Sequence, residues 1–356
     1  MTSQSLGGLA ANERLVIASG RDPLDRGDIF VAIDVHSGHL LWQHHEMCDG
    51  PMDYGKAPRA TPVILENRAL LLGAFGHLTC VDLATGLPIW KVNFQRDYGA
   101  SLPTWGFCGS PLVVGDRVIV QTGVPDASLV CLDLNTGQPI WRSPGKEISY
   151  SSFIHVRVHG IDQVVGYDAT TLGGWRLEDG LRLWELTPPH PGDFNVGTPL
   201  SDGHRLWVAT ENNGTRIYQF DSQGRIDPTP LAHHADLAPD TQTPIAAGRW
   251  ILGIWHGLYC LERDTLQQAW HNDDDIYQSY ASMVACGHRA LLLCREGDLV
   301  LIEVDESGYH ELGRARVSDQ VQDLQSHPAL VGRYLIVRLR DSVVCFSLGN
   351  LTPAND

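Results

Sequence analysis

"VCLDLNTGQPIW" at residues 130–141 repeats, with conservative changes, "TCVDLATGLPIW" at 79–90, and a looser version, "VAIDVHSGHLLW", stands at 31–42. Each reads as a strand, a tight turn and a second strand. The Asp can accept hydrogen bonds from backbone N–H groups of the turn, and a glycine takes the positive φ that a side chain would penalise. Gly38, Gly86, Gly137 and Gly180 hold that position. In the stretch "RATPVILENRALLLGAFGHLTCVDLATGLPIWKVNF" at 59–94, "HLTCVD" and "LPIWKV" alternate with period two, as half-buried strands do.

Taking the Asp eight residues before the hairpin Trp as an anchor gives Asp34, Asp82, Asp133, Arg176, Asp221, Glu262, Glu303 and Phe346, spaced 41 to 51 residues apart. That period matches the ~40–50 residues of a four-stranded propeller blade. The repeats therefore predict an all-β fold: one domain over 1–356, an eight-bladed β-propeller of four-stranded antiparallel blades. The blades are expected at roughly 4–45, 58–94, 107–144, 149–187, 195–227, 241–272, 280–315 and 325–349. The last of them offers "SHPAL", "YLIVRL" and "SVVCFSL" but no fourth segment. Thirty-one strands are expected, with one exposed edge able to pair with another chain; coverage of that edge by residues 1–12 would contradict this.

Trp42, Trp90, Trp141, Trp184 and Trp270 close their hairpins on outer strands, where a large apolar ring needs cover. The neighbouring blade can supply it, and truncating such a ring costs about 3 to 5 kcal/mol. Later blades weaken the motif: the hairpin near Asp221 lacks the Trp, and those near Glu303 and Phe346 keep little beyond strand rhythm.

Composition fits this reading. The chain has 36 Gly and 20 Pro against 4 Met, which suits many short strands joined by turns. Its 26 Lys and Arg against 42 Asp and Glu leave a formal charge of −16, a field that repels phosphate backbones. Nucleic acid is thereby disfavoured as a partner. No apolar run approaches the ~18 residues of a spanning helix, and the N-terminus shows no basic segment followed by an apolar core, so no export signal is read. The eight cysteines include no CxxC and no adjacent pair. Cys80, Cys131, Cys260 and Cys345 share one repeat position and are expected as small buried hydrophobes without disulfides.

The pattern A-x-D-x-x-T-G-x-x-x-W in these hairpins resembles the tryptophan-docking motif of the pyrroloquinoline-quinone (PQQ)-like repeat family. Its propellers include quinoprotein alcohol dehydrogenases and an outer-membrane assembly lipoprotein. The resemblance extends, with decay, over essentially the whole chain. It implies a propeller fold, and a periplasmic or exported setting if a leader precedes the sequence. It implies little about activity, because enzymes and non-enzymes share the motif. Quinoprotein dehydrogenases of this type carry a vicinal Cys-Cys disulfide and a calcium held by Glu and Asn with a catalytic Asp nearby. No Cys-Cys pair exists here, although Arg59 and Trp105 could imitate a cationic and a stacking contact. No cofactor is predicted, and PQQ with calcium is disfavoured.

Inner strands are entered through short polar signatures that recur in register, which places Arg59, Ser110, Ser152, Thr198, Thr243, Ser282 and His327 around one mouth of the central channel. The hydroxyls either tie up backbone groups where each inner strand begins or line a small-molecule or peptide pocket. Loops at 46–58, 95–108, 227–241 and 271–280 gather on the same face with aromatic and acidic groups. From the loop face, Trp105, Tyr150, Asn195 and Tyr280 join the candidate binding residues.

No catalytic or metal residues are assigned. Ser110 in "GFCGSP" is not a nucleophile elbow, "HNDDD" at 271–275 lacks the spacing and glycine of a calcium loop, and "HHADLAPD" and "HHEMCDGPMD" place adjacent histidines on opposite strand faces. The expectation is a non-catalytic propeller that binds a protein, peptide or polysaccharide partner through the loop face and channel mouth. An oxidoreductase or other enzyme with its site at the same mouth is the alternative.

Overall fold

In a computed structural model, residues 6–305, 308–320 and 322–348 are described. The first and last residues of the expected blade boundaries, 4 and 349, fall outside them. Seven four-stranded antiparallel sheets and one three-stranded sheet follow one another along the chain, the eight blades of a propeller. In the second blade the strands Val63–Ile64, Arg68–Leu72, His77–Asp82 and Pro88–Asn93 pair in sequence order from inside to outside.

Burial shows why the strands differ in composition. Leu78, Thr79, Cys80 and Val81 are all buried, so "HLTCVD" is not half-buried as its alternation suggested. In this blade the third strand lies between neighbouring blades on both faces, and alternation is clearest in outer strands. Pro139–Ser143 shows it, with Trp141 and Ser143 buried and Arg142 between them exposed.

The repeated turn has the expected mechanism. Asp133 accepts from the backbone N–H groups of Asn135 and Thr136 at 3.0 and 2.8 Å and from the Thr136 hydroxyl at 2.8 Å. Asp34, Asp82 and Glu262 do the same in their own hairpins. The glycine has a second duty. A Cβ on Gly86 (φ 71°) would stand 2.6 Å from the Trp42 ring, and one on Gly137 (φ 70°) 2.7 Å from Trp90. Each indole thus lies flat on the turn of the next blade and donates to the carbonyl of the residue after the anchor: Trp42 to Leu83 at 2.8 Å, Trp90 to Leu134 at 2.9 Å, Trp141 to Leu177 at 3.0 Å.

Trp184 is buried too, but it donates to Gln163 Oε1 at 2.9 Å, and the Gln163 amide then reaches the Gly224 carbonyl at 2.8 Å. Trp270 is half-buried and meets Tyr309 of the next blade edge-on at 5.7 Å.

Three expectations need correction. The outer strand of the fifth blade is Ala232–His234, beyond the expected limit at 227, because the hairpin after Asp221 takes a longer excursion through Pro228 and Pro230. The segment 227–241 is therefore part strand and not a single loop. Cys80, Cys131 and Cys260 are buried, but Cys345 is exposed, since its strand Val343–Ser347 is paired on one side alone among the described residues.

All eight thiols are free. Thirty-one strands are present among the described residues, and residues 6–12 do not cover the edge of Val343–Ser347. They run along the inside of the ring instead: Gly7 N donates to Pro58 O and Leu9 N to His327 O, both at 3.0 Å. The ring closes there through a shared core containing Leu9, Val16, Val31, Ala329 and Ile336.

Candidate functional site

Loops that lead from each outer strand to the next inner strand share one face with the turns between second and third strands, as strand direction requires. On this face the inner strands are linked by a series of hydroxyls. Thr61 N donates to Ser110 Oγ at 2.9 Å, Ser110 N to Ser152 Oγ at 3.0 Å, Ser152 N to Thr198 Oγ1 at 3.4 Å, and Thr198 N to Thr243 Oγ1 at 2.9 Å. Each hydroxyl therefore satisfies a backbone donor of the preceding blade, one of the two roles that the sequence left open. Close approach is needed: a Cβ on Gly109 would lie 2.5 Å from Ser151 O.

The second blade contributes Thr61 to this series, not Arg59. The Arg59 guanidinium folds back over its own loop and donates to the carbonyls of Ala57, Asp53 and Gly55 at 2.8 to 2.9 Å. Ser282 is buried and shares a 3.3 Å hydrogen bond with the Tyr280 hydroxyl, while between the sixth and seventh blades the link is Gln242, whose amide oxygen is positioned to accept from Ala281 N at 2.6 Å. Exposed His327 faces Tyr280 edge-on at 6.4 Å.

Four successive loops of this face bring aromatic rings together. Trp105 is the hub, 4.6 Å from Tyr150, 4.8 Å from Phe194 and 6.2 Å from Tyr54 between ring centroids. Tyr54 is 83% exposed and Phe194 50%. The cluster is held from below. Tyr150 N donates to Asn195 O at 3.3 Å, Asn195 Nδ2 reaches Asp168 O and Ala169 O at 3.2 Å, and Phe194 N donates to the Glu211 carboxylate.

Burial raises the Glu211 carboxyl above the usual carboxylate range and the Tyr150 phenol above its ordinary value. Tyr54 (φ 60°) and Asn195 (φ 54°) occupy left-handed backbone that costs a side-chain-bearing residue ~1–2 kcal/mol. Strain of this kind persists where surrounding contacts over-determine it, often at binding sites.

Elsewhere on the same face a cavity of about 190 Å³ opens between the sixth and seventh blades. Its walls include Trp255, His256, Asp240, Gln278 and Arg295 besides Tyr280. Sequence reasoning found Tyr280 alone of these. The missed signal is the register of the repeat: "WHG" at 255–257 and "REG" at 295–297 occupy the turn that "FG" at 75–76 occupies, so their leading side chains had to emerge on the loop face.

A quinone with calcium, the pair that the fold family implies, finds few free ligands at this mouth among the described residues. Arg59 has its donors committed to loop carbonyls, and among the described residues no three His, Cys, Asp or Glu side chains converge. No step is derived through that cofactor.

Comparison with known proteins bears on the fold first. BamB from Moraxella catarrhalis is 17% identical, with a TM-score of 0.66 over 97% of this chain and 94% of that one. The computationally designed Ika8 protein is 12% identical, with a TM-score of 0.69 over 98% and 97% of the two chains. Quinohemoprotein alcohol dehydrogenase from Comamonas testosteroni is 12% identical, with a TM-score of 0.68 over 96% of this chain and 72% of that one. At such identities these likenesses show the propeller and nothing finer. A search of curated proteins finds no match. The family model described as outer membrane protein assembly factor BamB matches residues 25–272, well over half of the sequence, and the chain belongs to that PQQ-like repeat family.

Proposed function

We propose that this propeller is a non-catalytic scaffold that docks a protein partner on its loop face. The observation that carries the reading is the cluster of Tyr54, Trp105, Tyr150 and Phe194, rings from four successive loops with Tyr54 and Phe194 largely in solvent. Aromatic residues are enriched at the centres of protein interfaces, where a few rings carry most of the binding energy. Rigid support under the rings, from Asn195 and the Glu211 carboxylate, lowers the ordering cost of association. The family description, an outer membrane protein assembly factor, supports a protein partner and a setting in the cell envelope.

A photo-cross-linking residue at Tyr54, compared with one at Leu87 on the opposite face, tests this in cells that make the protein. Discrete adducts from position 54 that disappear with Trp105→Ala are expected. Adducts from position 87 alone, or capture indifferent to Trp105→Ala, would move the docking face elsewhere.

The shared fold of quinohemoprotein alcohol dehydrogenases keeps an oxidoreductase as the second reading. It is separated by a thermal shift with PQQ and calcium, where a true ligand at a hundredfold over its Kd adds ~2.7 kcal/mol.

A further inference from the structure

We infer that the cavity between the sixth and seventh blades is a socket for an arginine side chain of a docking partner. The inference rests on the loop face being the docking face and names the chemistry that one part of it selects.

Size comes first. The cavity, about 190 Å³, is below the ~300–1,000 Å³ typical of small-molecule pockets. One long side chain fits such a space.

The walls then decide which side chain. Trp255 offers a partly exposed indole and is braced by His256, whose ring centroid lies 4.5 Å away and whose backbone is left-handed at φ 51°. Arg295 on the cavity wall pairs with Asp323 at 2.5 Å, which offsets its charge. Asp240 accepts a hydrogen bond from the Thr241 hydroxyl at 2.9 Å, and among the described residues no Lys or Arg nitrogen lies within ion-pairing distance of it. Gln278 lines the cavity and donates through Nε2 to Asp273 O at 2.9 Å, which leaves its amide oxygen as an acceptor. A flat aromatic, an unmatched carboxylate and an amide oxygen suit a guanidinium, which stacks through its plane and donates through its edge.

Long-range charge points the same way. The segments that connect strands on the loop face hold nineteen Asp and Glu against seven Lys and Arg, a net of −12. Among the described residues the connections on the opposite face hold nine against five, a net of −4. A basic group is thus drawn to the face that carries the socket. A neutral sugar could stack on Trp255 but would gain nothing from this field.

The test uses the full chain and a capped pentapeptide, Gly-Gly-Arg-Gly-Gly, beside counterparts with citrulline and lysine. Citrulline keeps the shape and loses the charge; lysine keeps the charge and loses the plane. The readout is the indole N–H resonance of Trp255, assigned by its loss in Trp255→Phe. The arginine peptide is expected to move that resonance and to bind at least tenfold more tightly than the citrulline peptide, with lysine between them. Asp240→Asn should erase the difference, and added salt should shrink it. Equal binding of the arginine and citrulline peptides, no response of the Trp255 resonance, or displacement by maltotriose with no arginine response would each overturn the assignment. If position 54 captured no partner while the arginine response persisted, the socket would stand and the docking reading would fall.

Discussion

The junctions among blades one to four and those among blades five to eight solve the same packing problem with different parts. In the first set an outer-strand Trp lies on the turn glycine of the next blade and donates to the carbonyl after the anchor residue. The fifth blade has no such Trp. Trp207, from the second strand Arg205–Thr210, crosses the cleft instead and donates to Arg263 O at 2.8 Å, the carbonyl after anchor Glu262. The turn position that glycine fills elsewhere is Leu266, held at φ 55° and packed in one cluster with Trp207. Acceptor geometry has stayed fixed while the donor moved from one strand to another. At these four junctions one carbonyl and one cleft are served by different donors, whereas Trp184 and Trp270 fill their clefts without donating to such a carbonyl.

That comparison can be broken or sharpened. Trp90→Ala and Trp207→Ala should be the most damaging changes, each costing about 3 to 5 kcal/mol in chemical denaturation. If Trp207→Ala cost less than half as much as Trp90→Ala, the two junctions would not be equivalent.

A pH effect comes next, from the buried pair in the first blade. Asp28 receives Arg21 Nη1 at 2.9 Å, yet its second oxygen has no hydrogen-bond partner among the described residues, and burial pushes its carboxyl up to about 6. A folded pKa above the unfolded value means that the native state holds the extra proton between about pH 4 and pH 6, so stability falls as pH rises through that window, by about 2 to 3 kcal/mol. Below that window the sign reverses. Hydrogen bonds from their turns lower the Asp34, Asp82 and Asp133 carboxyls, so the stability those groups supply is complete above about pH 4 and is lost as pH falls further. Denaturation across pH 3 to 8 should show a maximum near pH 4 to 5, and Asp28→Asn should flatten the limb between 4 and 6 whatever it does to the absolute value.

Trp270→Ala should cost about 1 to 2 kcal/mol, because that ring is half-buried and its N–H has no partner among the described residues. Tyr54→Ala, at a ring 83% exposed, should change stability by no more than ~0.5 kcal/mol while removing part of the proposed docking face. A large loss of stability there would mean that the patch serves the fold.

Much of the fold was legible because the repeat writes its own constraints. An Asp that caps a turn, a Gly that must take positive φ under an indole and a Trp that must be covered recur at one spacing, and eight anchors gave eight blades. The substitutions were not legible, since they preserve geometry with unlike residues. Gln163 bridges to Gly224 and Trp207 replaces an outer-strand ring, and neither keeps the motif's spacing. At the channel mouth, register placed Ser110, Ser152, Thr198 and Thr243 in one series, but in the second blade the residue in register is Thr61, two beyond Arg59, and it joins the series through its backbone N–H. Trp105, Tyr150 and Asn195 were found as loop residues. Their assembly into one cluster depends on four loops meeting, which no local spacing records.

The closure of the ring has its own consequence. Where Leu9 meets His327, the first and last modules abut, and among the described residues neither lends the other a strand, so side-chain packing and a few backbone hydrogen bonds hold that seam. Opening it would expose the flanks of two blades and leave the other seven clefts intact. Hydrogen exchange and mechanical pulling should both begin there, and a circular permutant with its termini moved to another cleft would shift the point of first rupture with them.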